Sequence, residues 1–362
     1  MSDKDTEINM NNASNVVEIA EVVTPAVTLP SFVSVDCAQV LPELGINLPV
    51  YVCENAGEYA RLVPSEPVGY FVQHVEAKRA MVWAATPTMK QSLLLQGETG
   101  TGKTEFVSFL ASRLGMPLAR VECHCSMTPD VLDGGFRLVA EGNGVVTRYI
   151  LSDVMRIYRD GGWILLDEVD KVSDEVSSRL HALADGKPVT IPETGEVINK
   201  HPNTKVWGTS NTVGDGTSMR YVTSRSLDAA FRARWAAIQI KYLSPSDELA
   251  MLSKLYPKFG KGFLTAMVKL ANECRDAALG PNRDGKVDNP MFAIYATRTQ
   301  RNILDAALAF GANGELITAM NFAFRDMCTE VDREIFDGLC QRVFGVDLIK
   351  DKTTTGALIR KL

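Results

Sequence analysis

Gly97-Glu98-Thr99-Gly100-Thr101-Gly102-Lys103-Thr104 stands between a short apolar run, Leu93-Leu94-Leu95, and a stretch from Glu105 to Gly115 whose apolar residues recur on one helical face. The octet satisfies G-x-x-x-x-G-K-[ST] at every fixed position, in the order strand, loop, helix that this motif requires. Its chemistry follows from the residue types. Glycines let consecutive backbone N–H groups turn inward around phosphate oxygens, and the helix behind them adds the positive end of its dipole. Lys103 is placed to meet β- and γ-phosphate oxygens, and the Thr104 hydroxyl to join a Mg2+ ion. Four fixed positions coincide by accident in roughly one chain in a hundred of this length, and the flanking strand and helix make the coincidence rarer. Gly97, Glu98, Thr99, Gly100, Thr101, Gly102, Lys103 and Thr104 are therefore expected to wall an ATP site.

Downstream, Trp163-Ile164-Leu165-Leu166-Asp167-Glu168 is an apolar run closed by two carboxylates. It reads as a buried strand with its acids at the carboxyl end, where open α/β sheets bind ligands. Asp167 is expected to hold the Mg2+ shell through water, and Glu168 to polarise an attacking water. Alone, an acidic pair after a strand is more often a helix cap; beside a phosphate loop the balance reverses. A third run, Lys205 to Thr209, leads to Ser210-Asn211. Asn211 would then reach the same sheet edge and orient the water, although Asn at a strand end is usually a turn residue.

The rest of the chain frames this site. Strands alternating with helices predict an α/β fold, a mostly parallel sheet covered on both faces. Helical patterns over 246–256, 262–278, 298–310, 315–327 and 331–343 predict a small all-α domain behind it. The expected divisions are a disordered arm (1–30), an extended lead-in (31–67) that carries Pro42, Pro49, Pro64 and Pro67, the nucleotide-binding domain (68–243), a helical lid (244–345) and a tail (346–362). A net charge of -6 in 362 residues does not favour a general nucleic-acid or membrane-surface binder. No run approaches the eighteen or so apolar residues of a membrane span, and the acidic, Asn-rich start does not resemble a signal peptide. Seven scattered cysteines do not make a disulfide framework. The cytoplasm is the expected compartment.

In its order of motifs the chain resembles the AAA+ ATPases, and within them the MoxR-like branch and the ATPase subunit of aerobic cobaltochelatase (CobS-like proteins). The resemblance covers roughly residues 68–345. Thr209-Ser210-Asn211-Thr212-Val213-Gly214 is similar to the sensor 1 region of the CobS-like proteins. Ser226 to Trp235 is similar to the family's L-x-x-A-x-x-x-R-[FW] helix, which implies that Arg234, with Arg232 as the alternative, acts on a neighbouring subunit's nucleotide. Ala296-Thr297-Arg298-Thr299 resembles the S-P-R-T start of the sensor 2 helix, with Thr297 in the place of proline. Arg298 would then touch the phosphates from the lid, with Arg301 as a competitor. The resemblance further implies a homo-hexameric ring and a separate von Willebrand factor A domain partner. It also implies β-hairpin insertions around Glu141–Gly144 and Glu193–Glu196 that face a pore or partner, unless they are plain exposed hairpins.

Cys123-His124-Cys125 has too few converging ligands for zinc, and strand packing explains it better. His74, His181 and His201 are isolated, and Trp83, Trp163, Trp207 and Trp235 read as core. The expected function is that of a Mg-ATP-driven motor that remodels a partner protein or drives a metal-chelatase-like complex. A DNA-directed NTPase of restriction or recombination type, with nucleic acid not excluded, and a nucleotide-gated scaffold are the competing readings.

Overall fold

A computed structural model describes residues 28–141, 144–211, 229–281, 287 and 290–362. Most of the expected N-terminal arm, residues 1–27, lies outside them. The described residues start with β1 (Ser31–Asp36), α1 (Cys37–Val40) and β2 (Pro49–Asn55), and then run through α2 (His74–Ala85), β3 (Ser92–Gln96), α3 (Lys103–Arg113), β4 (Leu118–Glu122) and α4 (Asp130–Asp133). A hairpin of β5 (Gly134–Glu141) and β6 (Gly144–Leu151) precedes α5 (Asp153–Asp160), β7 (Gly162–Asp167) and α6 (Asp174–Asp185). Two short strands, β8 (Val189–Thr190) and β9 (Val197–Ile198), lead to β10 (Thr204–Ser210), α7 (Ala229–Arg232) and β11 (Trp235–Gln239).

Five of these strands form one parallel sheet in the order β11-β3-β10-β7-β4. A parallel sheet needs cover on both faces, which is why β3 and β7 carry uninterrupted apolar runs, Leu93 to Leu95 and Trp163 to Leu166. Side chains alternate between two cores accordingly. Leu93, Leu95, Trp163, Leu165 and Trp207 face the layer that contains residues of α2 and α3. Leu94, Ile164, Leu166 and Val206 face the layer that contains residues of α5 and α6. Trp207 is fully buried with Trp83 and Trp163 rings at 4.9 Å each; each such pair adds about 0.5–1.5 kcal/mol beyond the area it buries. All four tryptophans are core residues, as their sequence context predicted.

Behind the sheet lie α8 (Pro245–Leu255), α9 (Lys261–Leu279), α10 (Thr297–Phe310), α11 (Leu316–Ala323), α12 (Glu330–Phe344) and α13 (Thr355–Lys361), around a separate apolar core. Three segments depart from the sequence pattern. The helix expected over 315–327 ends at Ala323, because Phe324 leaves helical geometry and turns its ring onto Tyr295 and Phe336, 5.2 Å from each. Residues 31–67, expected as an extended lead-in, include the antiparallel pair β1 and β2 with α1 between them, and Cys37, Leu41, Leu44 and Val50 of this segment are buried in the sheet's core. Residues 346–362, expected as a tail, include α13, capped by the Thr354 hydroxyl, with Leu358 at 0% exposure in the core of the C-terminal helices. A seven-residue helix is too short to show a period. Among the described residues, no helix is long and apolar enough to cross a membrane.

Leu358→Ala should therefore destabilise the C-terminal helical region by about 2–5 kcal/mol, whereas Ile349→Ala, at an exposed position, should cost little. Urea unfolding of the two variants checks this; equal midpoints would mean that α13 does not pack as described.

Candidate functional site

Strands β3, β7 and β10 end at the same edge of the sheet, where Ser210 pairs with Gln96 and Gly208 with Leu166. Gly97 to Gly102 leave this edge as a loop, and Gly102, at φ 89°, enters α3 in a left-handed conformation that favours glycine. Lys103 opens that helix and is 7% exposed. Its ammonium donates to the Gly97 and Glu98 carbonyls at 2.8 and 3.0 Å and to Asn211 Oδ1 at 2.8 Å. The Asn211 amide group then donates to Glu168 Oε1 at 3.1 Å. Lysine, asparagine and glutamate thus form one hydrogen-bonded chain.

Asp167 is 6% exposed. Thr104 Oγ1 donates to its two oxygens at 3.1 and 3.0 Å, the Thr209 hydroxyl donates to Oδ1, and Arg120 lies 2.7 Å from Oδ2. Glu168 is a non-glycine residue in the left-handed region, φ 60° and ψ 48°. Such strain collects where the surroundings over-determine a functional geometry. Here its N–H donates to Thr209 Oγ1 at 2.8 Å, and Lys171 lies 2.7 Å from its Oε2. Thr209, Arg120 and Lys171 were missed in the sequence. Thr209 carried a signal, since it lies two positions before Asn211 near the end of the same strand; a threonine in a strand is otherwise unremarked.

Burial lowers the Lys103 pKa to about 8, against the pull of Asp167, Glu98, Asp170 and Glu168, which favour the charged form. Burial pushes the Cys123 thiol up to about 12, with Asp167, Asp170 and Glu168 acting in the same direction, so it stays protonated. Cys123 lies just past the end of β4 and is buried, whereas His124 and Cys125 are exposed. Among the described residues no group of three or more His, Cys, Asp and Glu could hold a metal. Thr104 and Asp167 offer instead a small all-oxygen site. That fits Mg2+, which keeps waters and substrate phosphates rather than a full protein cage.

The two remaining arginines are elsewhere. Arg298, 74% exposed, lies in the first turn of α10 and meets Glu105 of α3 at 3.8 Å. Arg234 lies after α7, not within a helix, and its carbonyl accepts from Ser92 N at the start of β3. Its guanidinium is held by Asp185 at 3.0 Å and by the Ala230 carbonyl. The strand length of about 13–17 Å separates it from the phosphate loop, and its guanidinium is held away from that loop. A cleft of about 430 Å3 beside Lys90, Asp185 and Arg234 lies at this far edge. Arg232 is exposed. Thr212 to Gly214 and Ser226 to Asp228 lie outside the described residues, as does the tip of the β5–β6 hairpin, 142–143.

The segment that holds the loop and these strand ends also matches a known family in sequence. Residues 92–235 match the AAA domain model of the dynein-related subfamily. They form an AAA+ domain. The NorQ protein of Paracoccus denitrificans is 28% identical over 229 residues, 63% of this chain and 80% of NorQ. The aerobic cobaltochelatase subunit CobS of a Sinorhizobium species is 24% identical over 263 residues, 71% of this chain and 76% of CobS. Both are MoxR-like AAA+ ATPases, which places the resemblance read from the sequence in that branch. A midasin of Dictyostelium discoideum is 33% identical over 161 residues, 44% of this chain, which spans 3% of the midasin's length. An AAA+ domain implies nucleotide binding and ATPase chemistry.

The depressed Lys103 pKa has a testable consequence. A bound triphosphate favours the ammonium and raises its pKa, so binding takes up a proton near and above pH 8. Affinity for a fluorescent ATP analogue should fall as pH rises above about 8, by up to about tenfold per unit. Lys103→Arg, whose charge does not titrate, should flatten that slope. Loss of folding cannot mimic it through this group. Because the unfolded lysine holds its proton up to the ordinary 10.5, this group's share of stability rises with pH between the two values. An equal slope in both proteins would contradict the assignment.

Proposed function

We propose that this AAA+ protein hydrolyses Mg-ATP at an intersubunit site and works as a homo-hexameric ring. The observation that carries this reading is the division of groups between two edges of the sheet. Lys103, Thr104, Asp167, Glu168 and Asn211 share one edge, and Arg234 is held at the other.

In this reading the backbone of Gly97 to Gly102 cradles the phosphates, and Lys103 exchanges its carbonyl partners for β- and γ-phosphate oxygens. Thr104 and Asp167 would hold Mg2+, which when bound would offset the negative charge of the phosphates. Glu168, fixed by Asn211 and Lys171, accepts a hydrogen bond from the attacking water and draws off its proton. Asn211 senses the γ-phosphate because it already touches both Lys103 and Glu168. Arg298 reaches the phosphates from the lid. Arg234 enters a neighbour's site, where a cation stabilises charge on the transferred phosphoryl group; exposed Arg232 is its alternative.

Likeness to NorQ and CobS supports work on a partner. We infer a MoxR/CobS-like motor that remodels a protein, with a von Willebrand factor A domain protein as the partner class, or that drives a metal-chelatase-like complex.

Lys103→Ala should abolish nucleotide binding. Glu168→Gln should retain ATP while turnover falls by about a hundredfold or more, and Arg234→Ala should lose turnover by a similar factor. Mixing the last two variants tests the shared site directly. An interface that combines Glu168 of one subunit with Arg234 of the other is complete, so phosphate release should exceed the sum of the two variants measured alone. Activity no greater than their sum, or an unaltered rate in Glu168→Gln, would sink the reading.

A further inference from the structure

Glu248 of α8 and Arg275 of α9 are both 0% exposed and meet in two parallel hydrogen bonds of 2.7 Å. A buried ion pair is weak evidence for stability but a good means of fixing geometry, and its neighbours show what it orients. Arg275 Nε donates to the Tyr295 carbonyl at 3.0 Å. The Thr297 hydroxyl, at the start of α10 and next to Arg298, donates to Glu248 at 3.3 Å. The Arg275 guanidinium also lies over the Tyr242 ring, 4.4 Å from its centroid. Tyr242, between the end of β11 and the start of α8, donates its hydroxyl to the Thr99 carbonyl in the phosphate loop at 2.7 Å.

One stacked unit therefore joins the lid to the loop. A trans peptide is planar, with its N–H opposed to its C=O. Whatever holds the Thr99 carbonyl also fixes the direction of the Gly100 N–H, one of the amides available to a phosphate. A second contact connects the same two parts. A Cβ on Gly100 would lie 2.3 Å from Ala296 Cβ, so the loop leaves no room for a side chain beneath the start of α10.

We propose that Tyr242 is a positioning residue that ties the Thr99–Gly100 peptide to the seating of the lid. The inference rests on the ATP-site reading above. When the lid is seated, Arg275 holds the ring, the hydroxyl holds the carbonyl, and the Gly100 amide keeps its direction. When the lid shifts, the ring moves with it and the amide is released. Linkage makes the effect reciprocal, so a phosphate that orders the loop also favours the seated lid.

Tyr242→Phe keeps the ring over Arg275 and removes only the hydroxyl. It should weaken binding of a fluorescent ATP analogue about five- to tenfold while leaving the melting temperature of the nucleotide-free protein unchanged. In the ATP-site reading Arg298 is the phosphate-facing end of the same lid unit, and groups acting through one unit are not additive. In an Arg298→Ala background the loss from Tyr242→Phe should therefore shrink to less than about twofold. An equal loss in both backgrounds, or no loss in either, overturns the proposal. Failure of the wild-type protein to bind the analogue, or wild-type affinity in Lys103→Ala, would overturn the ATP-site reading instead.

Discussion

A lysine ammonium withdrawn from water must find acceptors, and the arrangement of the site follows from how Lys103 finds them. Its two carbonyl partners, Gly97 and Glu98, curl the loop back over the helix start. Its side-chain partner, Asn211, is available only because β10 runs alongside β3 in parallel register and ends at the same edge. Asn211 carries the constraint on to Glu168. A buried charge left without one of these partners would cost several kcal/mol. The loop, the strand order and the position of the glutamate are thus linked by one satisfied cation, which phosphate oxygens are suited to replace.

The same edge explains why Asp167 and Glu168 differ although they are adjacent. Asp167 is the last residue of a buried strand and is enclosed by the hydroxyls of Thr104 and Thr209 with the Arg120 guanidinium, a setting for a metal ligand. Glu168 turns into a left-handed conformation, with its N–H on Thr209, and directs its carboxylate towards Asn211 and Lys171. Thr209 thus serves both acids. Across the sheet, Arg234 is anchored to Asp185 at the start of a strand whose other end approaches the loop. In the proposed ring, that strand length is the spacing between Arg234 and the loop of its own chain, which is why the proposal assigns the arginine to a neighbour's site.

Much of this was legible in the sequence because buried parallel strands are apolar runs and a phosphate loop is local. Leu93 to Gln96 and Trp163 to Asp167 needed no tertiary knowledge, and their end points named Lys103, Asp167 and Glu168. Other features depend on distant partners. Phe324 breaks its helix only because Tyr295 and Phe336 wait beneath it. Leu358 looks like a tail residue until the lid core covers it. Thr209 and Arg120 converge on Asp167 only once β4, β7 and β10 are side by side, whereas Lys171 reaches Glu168 from three residues away. Tyr242 was overlooked for the same reason, since its partners are Thr99 on one side and Arg275 on the other.

The central claim is that Lys103, Asp167, Glu168 and Asn211 form one Mg-ATP site completed by an arginine from a second copy. A cryo-electron microscopy structure with Mg2+ and a non-hydrolysable ATP analogue tests it most directly. The account predicts β- and γ-phosphates against Lys103, with its bonds to the Gly97 and Glu98 carbonyls given up, and a neighbour's Arg234 or Arg232 at the γ-phosphate. Nucleotide bound away from the loop, or bound at the loop of a lone subunit, would contradict it.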